Sequence, residues 1–267
     1  MTLFQAIVLG IIQGLSEFLP ISSSAHLALA PWLFGWRDPG LAFDVALHFG
    51  TLLAVLWYFR HEWIALIGAA IRIVRQRRLE TDEDRRVVYL ILATIPGAIA
   101  GKLLESQAET AFRSPALVAS ALIVMGIILW VVDLRARQDR ELGSMRWKDA
   151  LIIGIAQMFA IIPGVSRSGS TMTAGRALGF TRQSAAVFSF LMSMPIIAAA
   201  ATLKLPDAIH QYGITTPFVV GVVSSALSGW LAIAVLLRFV TRNSFGVFAV
   251  YRLILGAVVL LVVALRG

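Results

Sequence analysis

The stretch that decides the fold lies near the start of the chain and reads Glu17-Phe18-Leu19-Pro20-Ile21-Ser22-Ser23-Ser24-Ala25-His26. It interrupts an apolar run from Met1 to Trp36 in which Glu17 is the only residue with a formal charge. Proline breaks a helix and serine caps the start of the next one, so the stretch predicts a helix, a short break and a second helix. Inside a membrane, such a break is typical of a re-entrant hairpin whose tip is surrounded by protein or water.

The composition of the whole chain indicates a membrane protein. Its 267 residues are 58% hydrophobic and 14% charged, whereas soluble domains average about a quarter charged. The mean hydropathy of +0.82 leaves too few polar side chains to cover a soluble globule. These values exclude an ordinary soluble enzyme, a disordered chain and a coiled coil. Because the sequence has no cysteine, a thiolate zinc site and a cysteine nucleophile are excluded as well.

Further apolar runs follow, and one of them is broken like the first. They cover residues 41–59, 87–104, 116–132, 150–166, 184–203, 214–237 and 244–265. A bilayer core about 30 Å thick needs about 20 helical residues, and six of these runs reach or approach that length. The broken run contains Pro163-Gly164-Val165-Ser166-Arg167-Ser168-Gly169-Ser170. We therefore predict an all-α integral membrane protein with six transmembrane helices and two re-entrant helix hairpins.

The two broken regions align at an offset of 144 residues. Residues 6–13 match 150–157, and Ser22 and Ser24 fall on Ser166 and Ser168. Each half then has one hairpin and three spans, so the second half starts on the opposite membrane face and the repeat is inverted. We predict one structural domain made of residues 1–143, with a hairpin at 1–36, and residues 144–267, with a hairpin at 148–180. Such folds hold their site near the bilayer midplane, where the broken elements meet.

The positions of the basic residues predict the orientation. Fifteen of the 23 Lys and Arg residues lie in three segments, Arg60–Arg86, Arg135–Lys148 and Arg238–Arg252, on one predicted face. Cytoplasmic loops carry such an excess. We therefore expect this face in the cytoplasm and the first hairpin to enter from outside. The net charge of +8 is then explained by topology, and we expect no nucleic-acid partner.

The first hairpin combines an acid, hydroxyls and an imidazole. A carboxylate such as Glu17 at bilayer depth costs at least about 2.5 kcal/mol and is by default a functional candidate, although it could instead be neutral or paired for structure. Gln13, four residues earlier, shares its helix face. His26 follows three serines, which together offer a nucleophile and a proton carrier. The alternatives are helix capping for the serines and a buried structural role for His26.

The second hairpin offers a cation and backbone amides. Arg167 lies between Ser166 and Ser168, and its planar guanidinium matches phosphate oxygens. The glycines let the backbone approach an anion, and a helix predicted over residues 171–178 would point its N-terminus at the bound group. Arg167 could also pair with Glu17 as a structural bridge. On these features alone, an enzyme acting on a phosphorylated lipid and a carrier of small organic anions both remain open.

The two broken stretches, with residues 13–26 and 163–169 at their centres, resemble the signatures of the bacterial undecaprenyl-diphosphate phosphatase family, of the bacitracin-resistance type. The similarity extends over essentially the whole chain, including residues 188–191 and Tyr251-Arg252. One position differs from many relatives: Gln13 stands where Glu is common. The resemblance implies hydrolysis of undecaprenyl diphosphate to undecaprenyl phosphate and inorganic phosphate, which recycles the lipid carrier of cell-wall synthesis. The competing function is a transporter or flippase for a polyprenyl phosphate or another anion.

The resemblance also implies the site and its surroundings. It implies a multi-pass protein of the bacterial inner membrane with a site open to the periplasm, a polyprenyl diphosphate lipid substrate and the lipid bilayer as partners, and a divalent cation, Mg²⁺ or Ca²⁺. It gives catalytic roles to Glu17, Ser23, His26 and Arg167, and Glu17 with Gln13 would hold the cation. The expected phosphate-binding residues are Ser22, Ser24, Gly164, Ser166, Arg167, Ser168, Gly169, Ser170 and Thr171.

Several questions stay open at this stage. Ser23 is the expected nucleophile, with Glu17 or His26 taking its proton, but attack by His26 itself or by water remains an alternative. Asp44 and His48, four residues apart, either line the entrance of the site or form a local hydrogen-bonded pair. A homodimer is compatible with the sequence. The small-residue face at Gly97 and Gly101 is nevertheless expected to pack a helix within one chain.

Overall fold

The computed structural model describes residues 1–109 and 111–266, and this part of the chain folds into twelve α-helices without a β-strand. Three single turns of 3₁₀ helix accompany them. The α-helices are α1 (Leu3–Phe18), α2 (Ser23–Phe34), α3 (Leu41–Tyr58), α4 (Arg60–Gln76), α5 (Asp82–Leu103), α6 (Glu105–Glu109), α7 (Pro115–Arg135), α8 (Trp147–Met158), α9 (Arg167–Ala177), α10 (Arg182–Tyr212), α11 (Thr216–Val240) and α12 (Gly246–Arg266).

Several of these helices match the dimensions of a bilayer. Among the described residues, α5, α7, α10, α11 and α12 are long and apolar enough to cross a membrane, and α3 with α4 would give a sixth span. Their outward faces carry large apolar side chains, such as Val124, Leu227 and Leu261. The prediction of an all-α, multi-pass membrane protein is therefore confirmed at this level of detail.

Helix α4 is a feature that the sequence analysis did not anticipate. The segment after the first predicted span forms a helix that is bent 85° from α3. Its Arg72 donates to the carboxylate of Asp84 at the start of α5, with the shortest N–O distance 2.6 Å. An apolar stripe of Ile64, Ile67 and Ile71 remains exposed. These features are those of an amphipathic helix lying along the membrane surface.

Close helix packing brings the two broken elements against long helices. A Cβ atom added to Gly10 of α1 would lie 2.4 Å from the carbonyl oxygen of Gly221 in α11. A Cβ added to Gly154 of α8 would lie 2.5 Å from the carbonyl oxygen of Ala93 in α5. Only glycine allows backbones to approach so closely. The two glycines that align in the sequence thus serve the same packing role in different halves of the chain.

Buried ion pairs tie together the end of the molecule that is rich in arginine. Asp133, near the end of α7, accepts from Arg176 Nε at 2.9 Å, from Arg182 Nε at 2.8 Å and from the backbone amide of Phe245 at 2.9 Å. Nearby, Arg140 donates to Asp149 at 2.6 Å. This hydrogen bond raises the pKa of Arg140 above its usual value, so the guanidinium keeps its charge.

One arginine does not lie where the sequence analysis placed it. Arg252 was counted with the basic face, but its side chain is completely buried in the fold. The guanidinium donates only to backbone carbonyl oxygens, including those of Pro20 and Gly164 in the two breaks. Arg252 lies about one and a half turns after the start of α12. In the sequence it is therefore close to the preceding loop, and it was assigned to that loop.

Candidate functional site

The first break is a tight turn between α1 and α2. Helix α1 ends at Phe18, before Pro20, and α2 begins at Ser23. Ser22 has a φ of 77°, which is unusual for a residue with a side chain. Its Oγ accepts from the amide of Ala25 at 3.4 Å and caps α2. The turn thereby directs the next residue, Ser23, into the protein.

The second break repeats this geometry at the positions that align with the first. Ser166 has a φ of 74°, and its Oγ accepts from the amide of Gly169 at 3.0 Å. Helix α9 consequently begins at Arg167, four residues earlier than the predicted helix over 171–178. Gly164, with a φ of 99°, turns the backbone between Pro163 and Ser166. Here Arg167 takes the place that Ser23 has in the first break.

Hydrogen bonds join the two breaks directly. The amide of Gly164 donates to Ser22 Oγ at 3.1 Å, and Ser168 Oγ donates to the carbonyl oxygen of Leu19 at 3.1 Å. Arg252 adds donations to Pro20, Gly164 and Val165 carbonyl oxygens. Because unpaired carbonyl groups are costly in a buried environment, this arginine holds both turns in one relative position.

Glu17 is the centre of the polar cluster between the breaks. Its Oε1 accepts from Arg167 Nη2 at 2.6 Å, and its Oε2 accepts from Ser23 Oγ at 2.6 Å. Gln13 Nε2 donates to Oε2 at 3.1 Å, and His48 Nε2 lies 3.3 Å from the same atom. The structure thus brings together the predicted residues Glu17, Ser23 and Arg167, and the expected neighbour Gln13.

The orientation of His48 determines where a proton lies. His48 Nδ1 is 2.7 Å from the backbone carbonyl oxygen of Asp44, which can only accept, so Nδ1 carries a hydrogen. On the other side, Nε2 faces a carboxylate oxygen of Glu17. An Nε2–H would donate to this oxygen, so the geometry allows His48 and Glu17 to share a proton. His48 is therefore a further proton-bearing group next to Glu17, which the sequence analysis did not assign to the chemistry.

A cavity of about 290 Å³ opens from this cluster. It is lined by the predicted residues Glu17, Ser23, Ser24, Ser166 and Arg167. Among the other lining residues are Asp44, His48, Arg113 and Ile197, which come from elements outside the two breaks. Asp44 and His48 thus line the cavity and are also hydrogen-bonded to each other, so both interpretations of their spacing apply. A hydroxyl, a carboxylate and a guanidinium facing one cavity are suited to phosphoryl transfer.

The structure does not bring His26 to this cluster. The Nδ1–H of His26 donates to the carbonyl oxygen of Ser22 at 2.7 Å, and Nε2 accepts from the hydroxyl of Tyr251 at 2.7 Å. The two rings also stack, with 5.7 Å between their centres. Both ring nitrogens are therefore occupied by α12 and by the first turn. His26 and Ser23 do not form one reacting group here, because the His26 ring is directed towards α12 and held there by Tyr251.

Most of the predicted phosphate-binding residues make hydrogen bonds within or between the two turns and do not line the cavity. Ser24 and Ser166 line the cavity. In contrast, Ser22, Gly164 and Ser168 form the contacts between the breaks described above. The remaining three lie in the first turns of α9: the Gly169 amide caps the helix, while the Ser170 and Thr171 hydroxyls donate to the Arg167 carbonyl oxygen at 3.1 and 2.8 Å. These hydrogen bonds explain why so many hydroxyl residues cluster in the sequence.

The sequence of the whole chain is similar to those of known proteins. The family model described as bacitracin resistance protein BacA matches residues 6–258. A protein from Gemmatimonas aurantiaca named undecaprenyl-diphosphatase is 62% identical over 266 residues, covering 100% of both chains. Proteins of the same name from Pelotomaculum thermopropionicum and Moorella thermoacetica are 55% and 52% identical, over 100% of this chain and 98% and 100% of theirs.

Proposed function

The chain belongs to the bacitracin resistance protein BacA family, and from this premise we propose that it hydrolyses undecaprenyl diphosphate to undecaprenyl phosphate and inorganic phosphate. The relatives that carry the name undecaprenyl-diphosphatase match it from end to end. The reaction releases the monophosphate form of the lipid carrier, which cell-wall synthesis can use again.

The observation that carries this proposal is the hydrogen bond of 2.6 Å from Ser23 Oγ to Glu17 Oε2. A hydroxyl is a weak nucleophile unless a base takes its proton, and this geometry provides the base. Arg167, bonded to the other oxygen of the same carboxylate, adds the cation that a phosphoryl group needs. The three groups face one cavity, so a single substrate phosphate can meet all of them.

We propose a reaction in two steps. Ser23 Oγ attacks the terminal phosphorus while Glu17 takes the hydroxyl proton, and the bridging oxygen leaves with undecaprenyl phosphate, which receives that proton. Water then attacks the phosphoserine and gives a proton to Glu17, the bond between phosphorus and Ser23 Oγ breaks, and Glu17 passes that proton to Ser23 Oγ as inorganic phosphate leaves. Arg167 turns from Glu17 to the phosphoryl oxygens when the substrate binds, which frees the carboxylate to act as a base.

Two other nucleophiles compete with Ser23 in this scheme. Attack by His26 requires its ring to leave both the Tyr251 hydroxyl and the Ser22 carbonyl oxygen. Direct attack by water requires Glu17 to orient the water and Ser23 only to bind phosphate. A serine nucleophile leaves an acid-stable phosphoserine after rapid quenching. Acid-labile label on His26 would favour the histidine, and inversion at phosphorus without a labelled protein would favour water.

The groups at the site do not form a ligand set for a resident divalent cation. Within residues 1–109 and 111–266, no group of three or more His, Cys, Asp or Glu side chains is arranged to hold a metal ion. Both oxygens of Glu17 accept hydrogen bonds, and Gln13 presents Nε2 to it, which is a donor. A single unpaired oxygen, Gln13 Oε1, is too few ligands for Mg²⁺ or Ca²⁺. We propose that such a cation enters with the diphosphate as part of the substrate.

The proposed architecture is six transmembrane helices with two re-entrant hairpins in an inverted repeat. Ser22 and Ser166, which align in the sequence, have nearly equal φ values of 77° and 74°. Helix α1 packs on α11, and α8 packs on α5. In the proposed repeat, α8 is the counterpart of α1, and α11 is the counterpart of α5. The contact of α1 with α11 therefore corresponds to the contact of α8 with α5. Equal backbone geometry and corresponding helix pairs both support the proposal.

We further propose that the cavity opens to the periplasmic side of the inner membrane. Arg113, at the mouth of the cavity, directly precedes α7, whereas Arg135 and Arg140 lie at or beyond its other end. A helix of 21 residues is about 31 Å long, close to the thickness of a bilayer core. The cavity and the arginine-rich face are therefore on opposite sides, and arginine-rich loops favour the cytoplasm.

Phosphate release in detergent tests the proposed function directly. A purified enzyme needs no second compartment, so hydrolysis appears as inorganic phosphate formed from undecaprenyl diphosphate in micelles. A transporter or flippase, which inverted repeats often build, would release no phosphate there. Binding of the lipid monophosphate without turnover would therefore favour a carrier and overturn the proposal of a phosphatase.

A further inference from the structure

A second arginine faces the same cavity as Arg167. Arg113 belongs to the short 3₁₀ turn Ala111–Arg113 between α6 and α7, and its side chain lines the cavity together with Asp44 and His48. Its side chain is 19% exposed and that of Arg167 is 13% exposed. Arg167, however, bonds Glu17, which is 5% exposed, whereas Arg113 bonds Asp38, which is 48% exposed. The two arginines thus lie at different depths, with Arg167 at the floor next to Ser23 and Arg113 at the mouth.

Arg113 is held only weakly by its carboxylate partners. Its Nη1 and Nη2 lie 3.4 Å from Asp44 Oδ2, which is a long contact, and Nη2 lies 3.0 Å from Oδ2 of Asp38. Asp38 is 48% exposed, and ion pairs at exposed positions contribute little. Arg167, in contrast, is bonded at 2.6 Å to Glu17 and at 2.8 Å to the Ser189 carbonyl oxygen. Of the two cations, Arg113 is therefore the one that a ligand can detach more easily.

Both arginines of the cavity are already paired with carboxylates, so neither is free to bind a diphosphate. Each arginine is paired with a carboxylate, Arg167 with Glu17 and Arg113 with Asp44, and His48 also lies beside Glu17. An anion with several negative charges is stabilised there only if cations leave their carboxylates and bind it. Arg167 can serve the phosphate that is attacked by Ser23. The second phosphate then needs another cation, and Arg113 is the other arginine that lines this cavity.

The apolar lining indicates which phosphate lies near Arg113. Ala108 precedes Arg113 in the same segment, and Ile196, Ile197 and Ala200 of α10 line the same cavity. A polyprenyl chain bound to these side chains leaves the cavity on this side. The phosphate that carries the chain then lies between the apolar wall and Ser23, within the region of Arg113.

We propose that Arg113 binds the phosphate that stays on the lipid, after release from Asp38 and Asp44. This inference rests on the proposed phosphatase function. It assigns the two phosphates of the substrate to two arginines, with Arg167 on the transferred phosphate and Arg113 on the one that remains. Arg113 therefore acts in recognition of the substrate and of the lipid product, and not on free phosphate.

Three variants of the full-length protein in detergent test this assignment. Arg113→Gln removes the cation, and Arg113→Lys keeps the charge without the fork. Arg37→Gln is the matched control, since Arg37 is exposed on the same predicted face and does not line the cavity. We expect Arg113→Gln to raise KM for undecaprenyl diphosphate about tenfold or more with a smaller change in kcat. Arg113→Lys should lie between it and the wild type, and Arg37→Gln should match the wild type.

A variant with the opposite expected effect excludes a merely structural role for Arg113. Asp38→Asn removes the exposed ion pair, yet its side-chain oxygen can still accept from the Gly40 amide, as Oδ1 of Asp38 does at 2.7 Å. Arg113 is then easier to detach, so KM should fall, by about twofold to fivefold for an exposed pair. An unchanged or higher KM in Asp38→Asn would contradict the release step.

Product inhibition separates the two phosphates. Arg113→Gln should weaken inhibition by undecaprenyl phosphate about tenfold and leave inhibition by inorganic phosphate unchanged. Equal weakening of both, or of neither, overturns the assignment. Wild-type protein that releases no phosphate would overturn the proposed function instead. In that case binding of undecaprenyl phosphate, measured by the shift in melting temperature, still tests Arg113: equal shifts for wild type and Arg113→Gln would overturn the inference as well.

Discussion

The two breaks share a backbone and differ in the residue that they present. In each, a serine with positive φ caps the next helix, and its Oγ lies 3.2 Å from that of the serine two positions on. The residue between the two serines is Ser23 in the first break and Arg167 in the second, and both line the cavity. One turn geometry therefore supplies a hydroxyl on one side of the site and a guanidinium on the other.

In both breaks the serines build the turn, and the residue between them supplies the chemistry. The repeated serines are used for the turns themselves, through caps and through contacts such as that of Ser22 Oγ with the Gly164 amide. Only the central residue is free to vary without loss of the turn. A nucleophile and an anion-binding cation must differ in charge, so a site that needs both has to break the symmetry at this position.

The largest effect is expected from the central residue of the first break. Ser23→Ala should lower kcat more than about 10⁴-fold, because the proposed nucleophile is removed while the turn remains. Phosphate release and rapid quenching with labelled substrate measure it. Ser24→Ala is the control, since Ser24 lines the cavity in the same turn. Turnover of Ser23→Ala near that of the wild type would leave Ser23 as a binding group only.

The base of the first break should come next. Glu17→Gln should lower kcat about 10³-fold, since general-base catalysis commonly contributes about 10²–10⁴-fold. The variant should melt only slightly earlier, because the glutamine oxygen can still accept a hydrogen bond although the charge that pairs with Arg167 is lost. Thermal unfolding in detergent is the second measurement. A strongly lowered melting temperature with normal activity per folded molecule would mean that Glu17 only balances Arg167.

The central residue of the second break should have a smaller effect than that of the first. Arg167→Lys retains the charge but loses the planar fork that bonds both Glu17 and the Ser189 carbonyl oxygen. We expect kcat to fall about 10²-fold with intact folding, similar to the loss of one oriented donor to a transition state. If kcat is unchanged, a positive charge at position 167 is sufficient for activity, and the planar guanidinium group has no role in phosphate binding.

The smallest effect concerns Gly164 in the second break. Gly164→Ala places a Cβ 2.4 Å from the Val118 carbonyl oxygen at a φ of 99°, whereas Gly35→Ala, also at positive φ, meets nothing within 4 Å. Both variants incur the backbone penalty, but only the first incurs the clash. We expect Gly164→Ala to lose about 2 kcal/mol more stability than Gly35→Ala, measured by unfolding in mixed micelles. Equal losses would mean that the contact with the Val118 carbonyl oxygen is relieved by a small shift and that close packing does not require glycine at position 164.

The sequence predicted much of the fold because its signals are local. Long apolar runs require a membrane, and the breaks at Pro20 and Pro163 lie where the structure has them. It missed the bend into α4, because an amphipathic segment with many arginines resembles a loop in composition. It also assigned Arg252 to a surface, since charge in a sequence says nothing about burial.

For the candidate site, the sequence identified the residue types but not their arrangement. Glu17, Ser23 and Arg167 were predicted together and lie together. His26 was predicted with them, yet it bonds Tyr251, which is 225 residues away in the chain. His48 and Arg113 were not assigned to the chemistry, because each comes from an element outside the two breaks. The spacing of Asp44 and His48 was the one local signal for that side of the cavity.

By itself, the sequence determined the membrane class, the two broken elements and the chemistry that they can offer. These follow from hydropathy, from proline and serine, and from the small set of side chains that bind phosphate. Tertiary structure alone decided which hydroxyl meets the carboxylate, and that Arg252 binds the two turns together through their carbonyl groups. The reason is physical: hydrogen bonds act over about 3 Å, and residues 150 positions apart reach that distance only after the helices have packed.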